Sequence, residues 1–305
     1  MSAVSGSPVI NCGSATDRGS FRVEPRCRGG RGAAAGKELT IKRLLTAAIA
    51  LPLLILLILK GGVTGFTWFI AVVAAFGMDE FYRMALPDRR PEGAVLSLFG
   101  VLIPVMSGAG DSSLFPVTMT LPVLVAALLL LFRFRDIRRA AQEWAILAAG
   151  LLYVPLLLVH LVWLRAGTHG ISWIFLMLVI VMAGDSAAYY VGSALGRVRL
   201  YPQVSPNKSV EGALGGLAGS VAGALVARMT FFPELGVADA VVAALVLGVL
   251  GQLGDLFESL LKRSCGVKDS GTLVPGHGGI LDRLDSILFA APAVYWYAHF
   301  VFPLG

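Results

Sequence analysis

Hydrophobic positions run in long blocks, separated by short polar segments, from about residue 41 to the end of the chain. A transmembrane helix needs about 20 mostly apolar residues. Nine blocks come close to this length, and backbone inside a bilayer must satisfy its own hydrogen bonds, which favours helices. The predicted spans are 41–59, 63–82, 94–110, 113–132, 143–164, 171–192, 210–230, 237–257 and 284–302. The pattern therefore predicts an all-α, polytopic integral membrane protein with nine transmembrane helices.

Composition supports a membrane protein. Of the 305 residues, 56% are hydrophobic and only 14% are charged, whereas soluble domains carry about 25% charged residues. The three cysteines, Cys12, Cys27 and Cys265, have neither paired nor metal-ligand spacing. The sequence therefore implies neither disulfides nor a zinc site.

Basic residues alternate between the two sides of the predicted spans. They precede span 1 and follow spans 2, 4, 6 and 8, whereas the opposite loops offer only Lys60, Arg165 and Arg228. Cytoplasmic loops of membrane proteins carry the excess of lysine and arginine. We therefore expect a cytoplasmic N-terminus and an outward C-terminus. Counting one span too many or too few would destroy the alternation of basic-rich and basic-poor loops.

Residues 1–36 differ from the rest of the chain. They are rich in Gly, Ser and Arg and contain no apolar stretch, a composition typical of disorder. No apolar segment of a secretory signal follows them before the first span. We interpret them as a disordered tail or the product of a start assigned too far upstream, with an organelle transit peptide as the alternative. The membrane-embedded domain is then 37–305.

The seventh predicted span contains five glycines, namely Gly212, Gly215, Gly216, Gly219 and Gly223. Small residues at three- and four-residue spacing let membrane helices approach closely. A phosphate-binding loop would instead need a preceding strand and a final Gly-Lys-Ser or Gly-Lys-Thr, which the segment lacks. We therefore expect these glycines to serve helix packing.

Ionisable residues gather at the predicted cytoplasmic ends of the spans. Charged side chains in membrane segments are costly and are functional candidates by default. For Asp79, Arg83 and Glu143 the expected role is an ion pair or helix cap near the membrane surface. The stretch 255–285 is different, because five acidic and four basic residues around a Gly-His-Gly-Gly turn exceed what anchoring needs.

The residue types in this stretch indicate a particular chemistry. Carboxylates without thiolates or paired histidines suit a hard cation such as Mg²⁺, and lysine and arginine bind phosphate oxygens. Asp282 and Asp285 are three residues apart, so at a helix start they would share a face. The combination favours Mg²⁺-dependent phosphoryl or nucleotidyl transfer at the inner membrane surface.

The segment Ser259–Asp285 resembles the signature of the phosphatidate cytidylyltransferase family, the CDP-diglyceride synthases. The matching positions are Ser259, Leu261, Lys262, Arg263, Lys268, Asp269, Gly271, Val274, Pro275, His277, Gly278, Gly279, Ile280, Asp282, Arg283, Leu284 and Asp285. Residues 185–189 and 205–212 resemble two further blocks of the family. Asn207, Ser209 and Val210 depart from it, where a lysine, a threonine and an aromatic residue are usual.

The resemblance implies a function. Members transfer the cytidylyl group of CTP to phosphatidic acid, which gives CDP-diacylglycerol and pyrophosphate for phospholipid biosynthesis. It also implies an all-helical homodimer of nine-span subunits in the inner (plasma) membrane, with a cytoplasmic active site and two metal positions. One position would hold Mg²⁺, and the second a monovalent or divalent cation. No nucleic-acid partner is expected.

The resemblance also implies roles for individual residues. The expected catalytic residues are Asp255, Asp282, Lys262 and Arg263. The expected metal ligands are Asp255, Asp282, Asp185, Glu258 and Asp285. The expected contacts to CTP and to the lipid phosphate are Ser205, Lys208, Glu211, Lys268, Asp269, His277 and Arg283. We expect His277 to position or contact phosphate rather than act as a base, because a phosphate monoester is largely dianionic at neutral pH.

Other functions remain as alternatives. A CTP-dependent lipid kinase or an archaeal-lipid cytidylyltransferase would share a charged inner face but not the intact 259–285 block. The Asp-Gly-x₂-Ala-Arg block of CDP-alcohol phosphotransferases is absent from the sequence. A transporter with Asp185 and Asp255 as an ion relay would predict broken helices and symmetric halves, and the sequence shows no such internal repeat.

Overall fold

A computed structural model describes residues 48, 50–108, 114–273 and 278–302. The predictions for residues 1–36 and for His277 fall outside this part of the chain. The elements, in chain order, are α1 (Ala50–Lys60), α2 (Gly62–Ala85), a short 3₁₀ turn (Pro87–Arg89), α3 (Arg90–Gly108), α4 (Phe115–Arg133), α5 (Ile137–Tyr153), α6 (Pro155–Ala166), α7 (Gly170–Leu195), β1 (Arg199–Tyr201), β2 (Ser205–Ser209), α8 (Val210–Thr230), α9 (Val237–Ser264) and α10 (Leu281–Phe300).

Seven segments of the described chain are helices long and apolar enough to cross a membrane. They are Gly62–Ala85, Pro87–Gly108, Phe115–Arg133, Ile137–Ala166, Gly170–Leu195, Val210–Thr230 and Val237–Ser264. The prediction of an all-α, multi-pass membrane protein is confirmed. The count of nine stays a prediction, because α1 is described only from Ala50 and α10 opens on a charged turn.

Two helix boundaries differ from those predicted. The fifth span begins earlier, at Ile137, and its helix is interrupted between Tyr153 and Pro155. Proline has no backbone N–H and its ring displaces the preceding turn, which bends a helix. The eighth span runs to Ser264 rather than ending at 257, so Lys262 and Arg263 lie on helix α9 and not in the loop after it.

A small β-hairpin follows α7, where the sequence predicted only a connecting loop. Strands β1 and β2 are antiparallel and pair Arg199 with Ser209 and Tyr201 with Ser205. Residues 197–209 lack the apolar period of a helix, and Pro202 and Pro206 would disrupt one. The hairpin is a minor exception to the helical fold, but it carries Lys208 into the candidate site.

Helices α7 and α8 pack closely through small residues, as the glycine pattern predicted. A Cβ atom added at Gly223 would lie 2.9 Å from the Cβ of Ala183, and one added at Gly219 would overlap the Cβ of Ala187. A larger residue at either glycine would push the helices apart. Asp185 lies on α7 within this seam, so its position relative to α8 is fixed.

The surface charges of α2 and α5 form ion pairs, also as predicted. Arg83 lies 2.8 Å from Asp79, one turn away on α2. The buried Arg89 guanidinium lies 2.8 Å from Glu143 of α5 and 3.6 Å from Glu92 of α3. The pairs of Arg89 join the ends of neighbouring helices, whereas the Asp79–Arg83 pair lies within α2.

Candidate active site

A cavity of about 770 Å³ opens between α7, the hairpin, the first turn of α8 and α9. Volumes of about 300–1,000 Å³ are typical of small-molecule sites. Its functional side chains are Asp185, Ser205, Asn207, Lys208, Gln252 and Asp255. Three segments that are far apart in sequence therefore supply one polar cavity.

Lys208 and Asp255 form the central contact of this cavity. The Nζ atom of Lys208, on β2, lies 2.6 Å from Oδ2 of Asp255 on α9. Ser259, one turn further along α9, donates a long 3.5 Å hydrogen bond to Oδ1 of the same carboxylate. The charge of Asp185 interacts with both Asp255 and Lys208. The cavity is thus lined by two carboxylates, the ammonium group of Lys208 and the guanidinium group of Arg199.

The start of α8 holds the hairpin in place. Ser209 caps this helix, because its hydroxyl accepts a 3.1 Å hydrogen bond from the amide of Gly212. Glu211 accepts hydrogen bonds from the amides of Arg197 and Val198, at 3.1 and 3.2 Å. Its carboxylate therefore ties the beginning of the hairpin to its end. Ser205 lines the cavity, whereas Glu211 does not.

A second charged cluster centres on Lys262. Its ammonium lies 3.0 Å from Oε2 of Glu258 and 2.7 Å from Oδ1 of Asp282. All three side chains are at most 12% exposed. Burying charges is costly unless they are paired and hydrogen-bonded. Lys262 therefore joins the last turns of α9 to the first turn of α10.

The other carboxylate oxygen of Asp282 binds the loop between α9 and α10, which we call the signature loop. Its Oδ2 accepts hydrogen bonds from the amides of Ser270, at 3.0 Å, and Gly279, at 2.9 Å. Burial alone raises the pKa of Asp282, but the hydrogen bonds from Lys262 and from these amides outweigh it and hold that pKa below its usual value. The structure therefore favours an ionised Asp282 at the edge of the predicted span.

Glu80, on α2, is a buried carboxylate that the sequence interpretation did not single out. Its Oε2 accepts hydrogen bonds from the amide of Leu281, at 2.9 Å, and from the hydroxyl of Ser270, at 3.2 Å. A Cβ atom at Gly271 would lie 2.5 Å from Oε1, and one at Gly279 would overlap the carboxylate. The available signal was the position of Glu80 inside an apolar span.

Asp285 connects the two clusters electrostatically. Its charge interacts with those of Asp255 and Asp185 on one side and of Lys262 on the other. Asp282 and Asp285 share the first turns of α10, as their spacing predicted. The five carboxylates that the sequence proposed as metal ligands thus lie on α7, α9 and α10 and interact in pairs through their charges.

Comparison with known proteins identifies the family of the chain. The model of the family described as "Cytidylyltransferase family" matches residues 41–301. The chain belongs to this cytidylyltransferase family. The resemblance seen in the 259–285 signature is confirmed.

Several relatives within the cytidylyltransferase family carry the name phosphatidate cytidylyltransferase. One from Staphylococcus saprophyticus is 34% identical over 255 residues, which cover 82% of this chain and 95% of the relative. One from Brucella suis is 37% identical over 257 residues, which cover 83% and 91%. One from Bacillus subtilis is 45% identical over 128 residues, and there the match spans 42% of this chain and 48% of the relative.

The carboxylates of this cytidylyltransferase fit a hard cation. Among the described residues, no three His, Cys, Asp or Glu side chains converge tightly enough to hold a metal alone. Mg²⁺ usually takes one or two carboxylates and completes its shell with water and substrate phosphates. Asp185 and Asp255 line one cavity, and their mutual repulsion would be relieved by a cation between them.

The remaining predicted residues of this family member are exposed and do not line the polar cavity, and we call them the rim. Arg263, Lys268 and Asp269 are exposed, and Arg263 donates a 3.4 Å hydrogen bond to the carbonyl of Val267. Arg283 is exposed and lines a different, apolar cavity. The inner cluster and the rim are therefore distinct parts of one signature.

Proposed function

We propose that this cytidylyltransferase makes CDP-diacylglycerol from CTP and phosphatidic acid. The observation that carries the proposal is that two lysines each form ion pairs with carboxylates. Lys208 pairs with Asp255 in the cavity, and Lys262 pairs with Glu258 and Asp282 where α9 meets α10. Two lysines, each beside carboxylates, suit a reaction in which two phosphorylated substrates come together. The names of the relatives support the same reaction.

In the proposed reaction an oxygen of the lipid phosphate attacks the α-phosphorus of CTP. A new phosphorus–oxygen bond forms there, the bond to the β-phosphate breaks, and pyrophosphate leaves with the electron pair. The attacking phosphate is already largely dianionic at neutral pH, so no general base is needed. The main barrier is repulsion between two anions, and Lys208, Lys262 and the rim cations Arg263, Lys268 and Arg283 would reduce it.

We propose Mg²⁺ as the cofactor, which when bound neutralises phosphate charge and orients the reacting groups. The residues that would hold it are Asp255 and Asp282, with Asp185, Glu258 and Asp285 nearby, and a second cation would share this set. Ser205 and Lys208 would contact a substrate phosphate, and Glu211 would hold their hairpin. Asp269 and His277 belong to the same proposed contact set.

The proposed setting follows from charge and family resemblance. The distribution of basic residues supports a cytoplasmic N-terminus, an outward C-terminus and a site that opens to the cytoplasm. There CTP would reach the cavity directly. We also propose a homodimer in the inner (plasma) membrane.

The test is direct synthesis by the purified protein. With radiolabelled CTP, phosphatidic acid and Mg²⁺ it should release pyrophosphate and yield a labelled lipid. Asp255→Asn should abolish this, whereas Asp239→Asn on the same helix should not, because Asp239 only accepts a 2.8 Å hydrogen bond from Tyr297. A folded wild-type protein that labels no lipid would refute the reaction, and an active Asp255→Asn variant would refute the metal assignment.

A further inference from the structure

A second cavity of about 540 Å³ lies among α1, α2, α6, α7 and α10. Its floor includes Phe66, Ile70 and Met177, which are at most 3% exposed, and its rim includes the exposed Phe69. The volume falls in the range of about 300–1,000 Å³ found for ligand sites. We call this cavity the apolar groove.

The lining of the apolar groove is uniform except at one point. Every lining side chain is apolar apart from Arg283 of the signature. Engineered cavities with such apolar linings stay dry and bind apolar ligands. A ligand that matches the whole lining therefore has a long apolar part and one anionic group.

The apolar groove continues outward from the polar site. Leu178 lines the groove and precedes Asp185 on α7 by seven residues. Seven residues are about two helical turns, or about 10 Å, so the two side chains share one face of α7. On α10 the groove is lined by Ile280, Leu284 and Ile287, next to the residues that face Lys262. Helices α7 and α10 thus each carry residues of the apolar groove and, within about two turns, a carboxylate of the candidate site.

We propose that the apolar groove holds one acyl chain of the phosphatidic acid substrate, with the lipid phosphate at its Arg283 end. This rests on the proposed function and adds the site of the lipid tail. The polar and apolar ends of the groove match this orientation of the lipid. Arg283 lies in the first turn of α10, and the apolar lining includes Phe66, near the start of α2. A lipid of the inner leaflet has the same polarity, with its phosphate inward and its tails toward the bilayer centre.

Two adjacent valines on α2 provide a matched test. Val73 lines the apolar groove, whereas Val72 is 49% exposed and is not part of the lining. Val73→Phe should raise KM for dioleoyl phosphatidic acid about tenfold, the effect of about 1.4 kcal/mol, which is less than two buried methylenes contribute. KM for the dihexanoyl lipid should change much less, because its short chains fill less of the apolar groove. Val72→Phe should change neither value.

The assay should use mixed micelles with each lipid at a fixed mole fraction. Leu178→Trp fills the same groove from α7 and replaces Val73→Phe if that variant fails to fold. Equal effects on both lipids, or no effect with the long-chain lipid, would overturn the groove assignment. Wild-type protein that converts neither lipid would instead overturn the proposed function, and the groove assignment with it.

A photoreactive lipid gives a readout that does not depend on turnover. Phosphatidic acid with a diazirine near one chain end should label peptides from α2 and α7 that line the apolar groove. Val73→Phe should reduce this labelling, and excess dioleoyl phosphatidic acid should compete with it. Labelling spread evenly over lipid-facing surfaces, such as the side of α2 that carries Val72, would show bulk bilayer lipid and contradict the proposal.

Discussion

The amide of Leu281 donates a 2.9 Å hydrogen bond to the carboxylate of Glu80, which lies 201 positions earlier in the chain. The same oxygen accepts a hydrogen bond from the hydroxyl of Ser270, and the amide of Ser270 binds Asp282. Glu80 therefore supports the signature loop from α2, through Ser270, at the point where α10 begins.

Replacing Glu80 with alanine should disorder this loop. Glu80→Ala leaves the Leu281 amide and the Ser270 hydroxyl buried without their acceptor, which costs about 1–3 kcal/mol. Displacing the loop by about 1 Å should lower kcat about 100-fold, whereas Glu80→Gln keeps an acceptor oxygen and should lose less. Steady-state kinetics and thermal unfolding of the three proteins measure both effects.

Asp79→Asn is the control for Glu80, since Asp79 pairs with the exposed Arg83 on the same helix. It should leave kcat and the unfolding temperature close to those of the wild-type protein. Wild-type kcat in Glu80→Ala would contradict the supporting role of Glu80.

Replacing Lys262 should lower the free energy of unfolding more than replacing Lys208. Lys262 is buried between Glu258 and Asp282, so Lys262→Met leaves two carboxylates uncompensated and should destabilise the protein by about 3–5 kcal/mol. The Lys208–Asp255 pair is about one-third exposed, and such pairs contribute about 0–1 kcal/mol. Thermal unfolding in detergent should therefore separate the two variants clearly.

Lys208→Met should instead act on substrate binding. The loss of its ammonium from the cavity should raise KM for CTP about tenfold, as expected for one charge-assisted hydrogen bond. Lys208→Arg keeps the charge and should retain more of the affinity. If KM for CTP were unchanged in Lys208→Met, the cavity would not be the CTP site.

Two glycines with positive φ give a test of the signature turn. Gly278 has φ +86°, and a Cβ atom there would lie 2.7 Å from Oδ2 of Asp282. Gly266 has φ +72°, with no heavy atom within 4 Å of its added Cβ. Alanine at either site pays a conformational cost of about 1–2 kcal/mol, but only Gly278→Ala also displaces Asp282.

Gly278→Ala should therefore lower turnover strongly, whereas Gly266→Ala should leave it near the wild-type rate. Initial rates at saturating CTP and lipid, compared with the unfolding temperature of each variant, separate the steric effect from the backbone effect. Equal rates in the two variants would show that the position of Asp282 tolerates this displacement.

Much of the fold follows from local pattern. Helix α8 spans Val210–Thr230, as the seventh hydrophobic block predicted. Its glycines pack against α7, as their spacing indicated. Asp282 and Asp285 likewise share the first turns of α10, as their spacing predicted. These results depend on residues close in sequence, for which periodicity is informative.

The parts that the sequence did not predict depend on tertiary contacts. The role of Glu80 arises only when α2 and α10 meet, and nothing local distinguishes it from Asp79, which forms an ordinary ion pair. The hairpin was missed because its strands are three and five residues long and the second contains Pro206. The extension of α9 past residue 257 was missed because its last turns are polar.

The pairing of each lysine with a carboxylate means that part of the negative charge of the site is compensated before a substrate binds. A phosphate that attracts Lys208 or Lys262 releases an aspartate at the same moment, and that aspartate is then available to a cation. Substrate binding would then resemble ion exchange, because a phosphate replaces an aspartate as the counter-ion of a lysine. A site arranged in this way keeps both lysines paired inside a membrane protein, before and after a substrate binds.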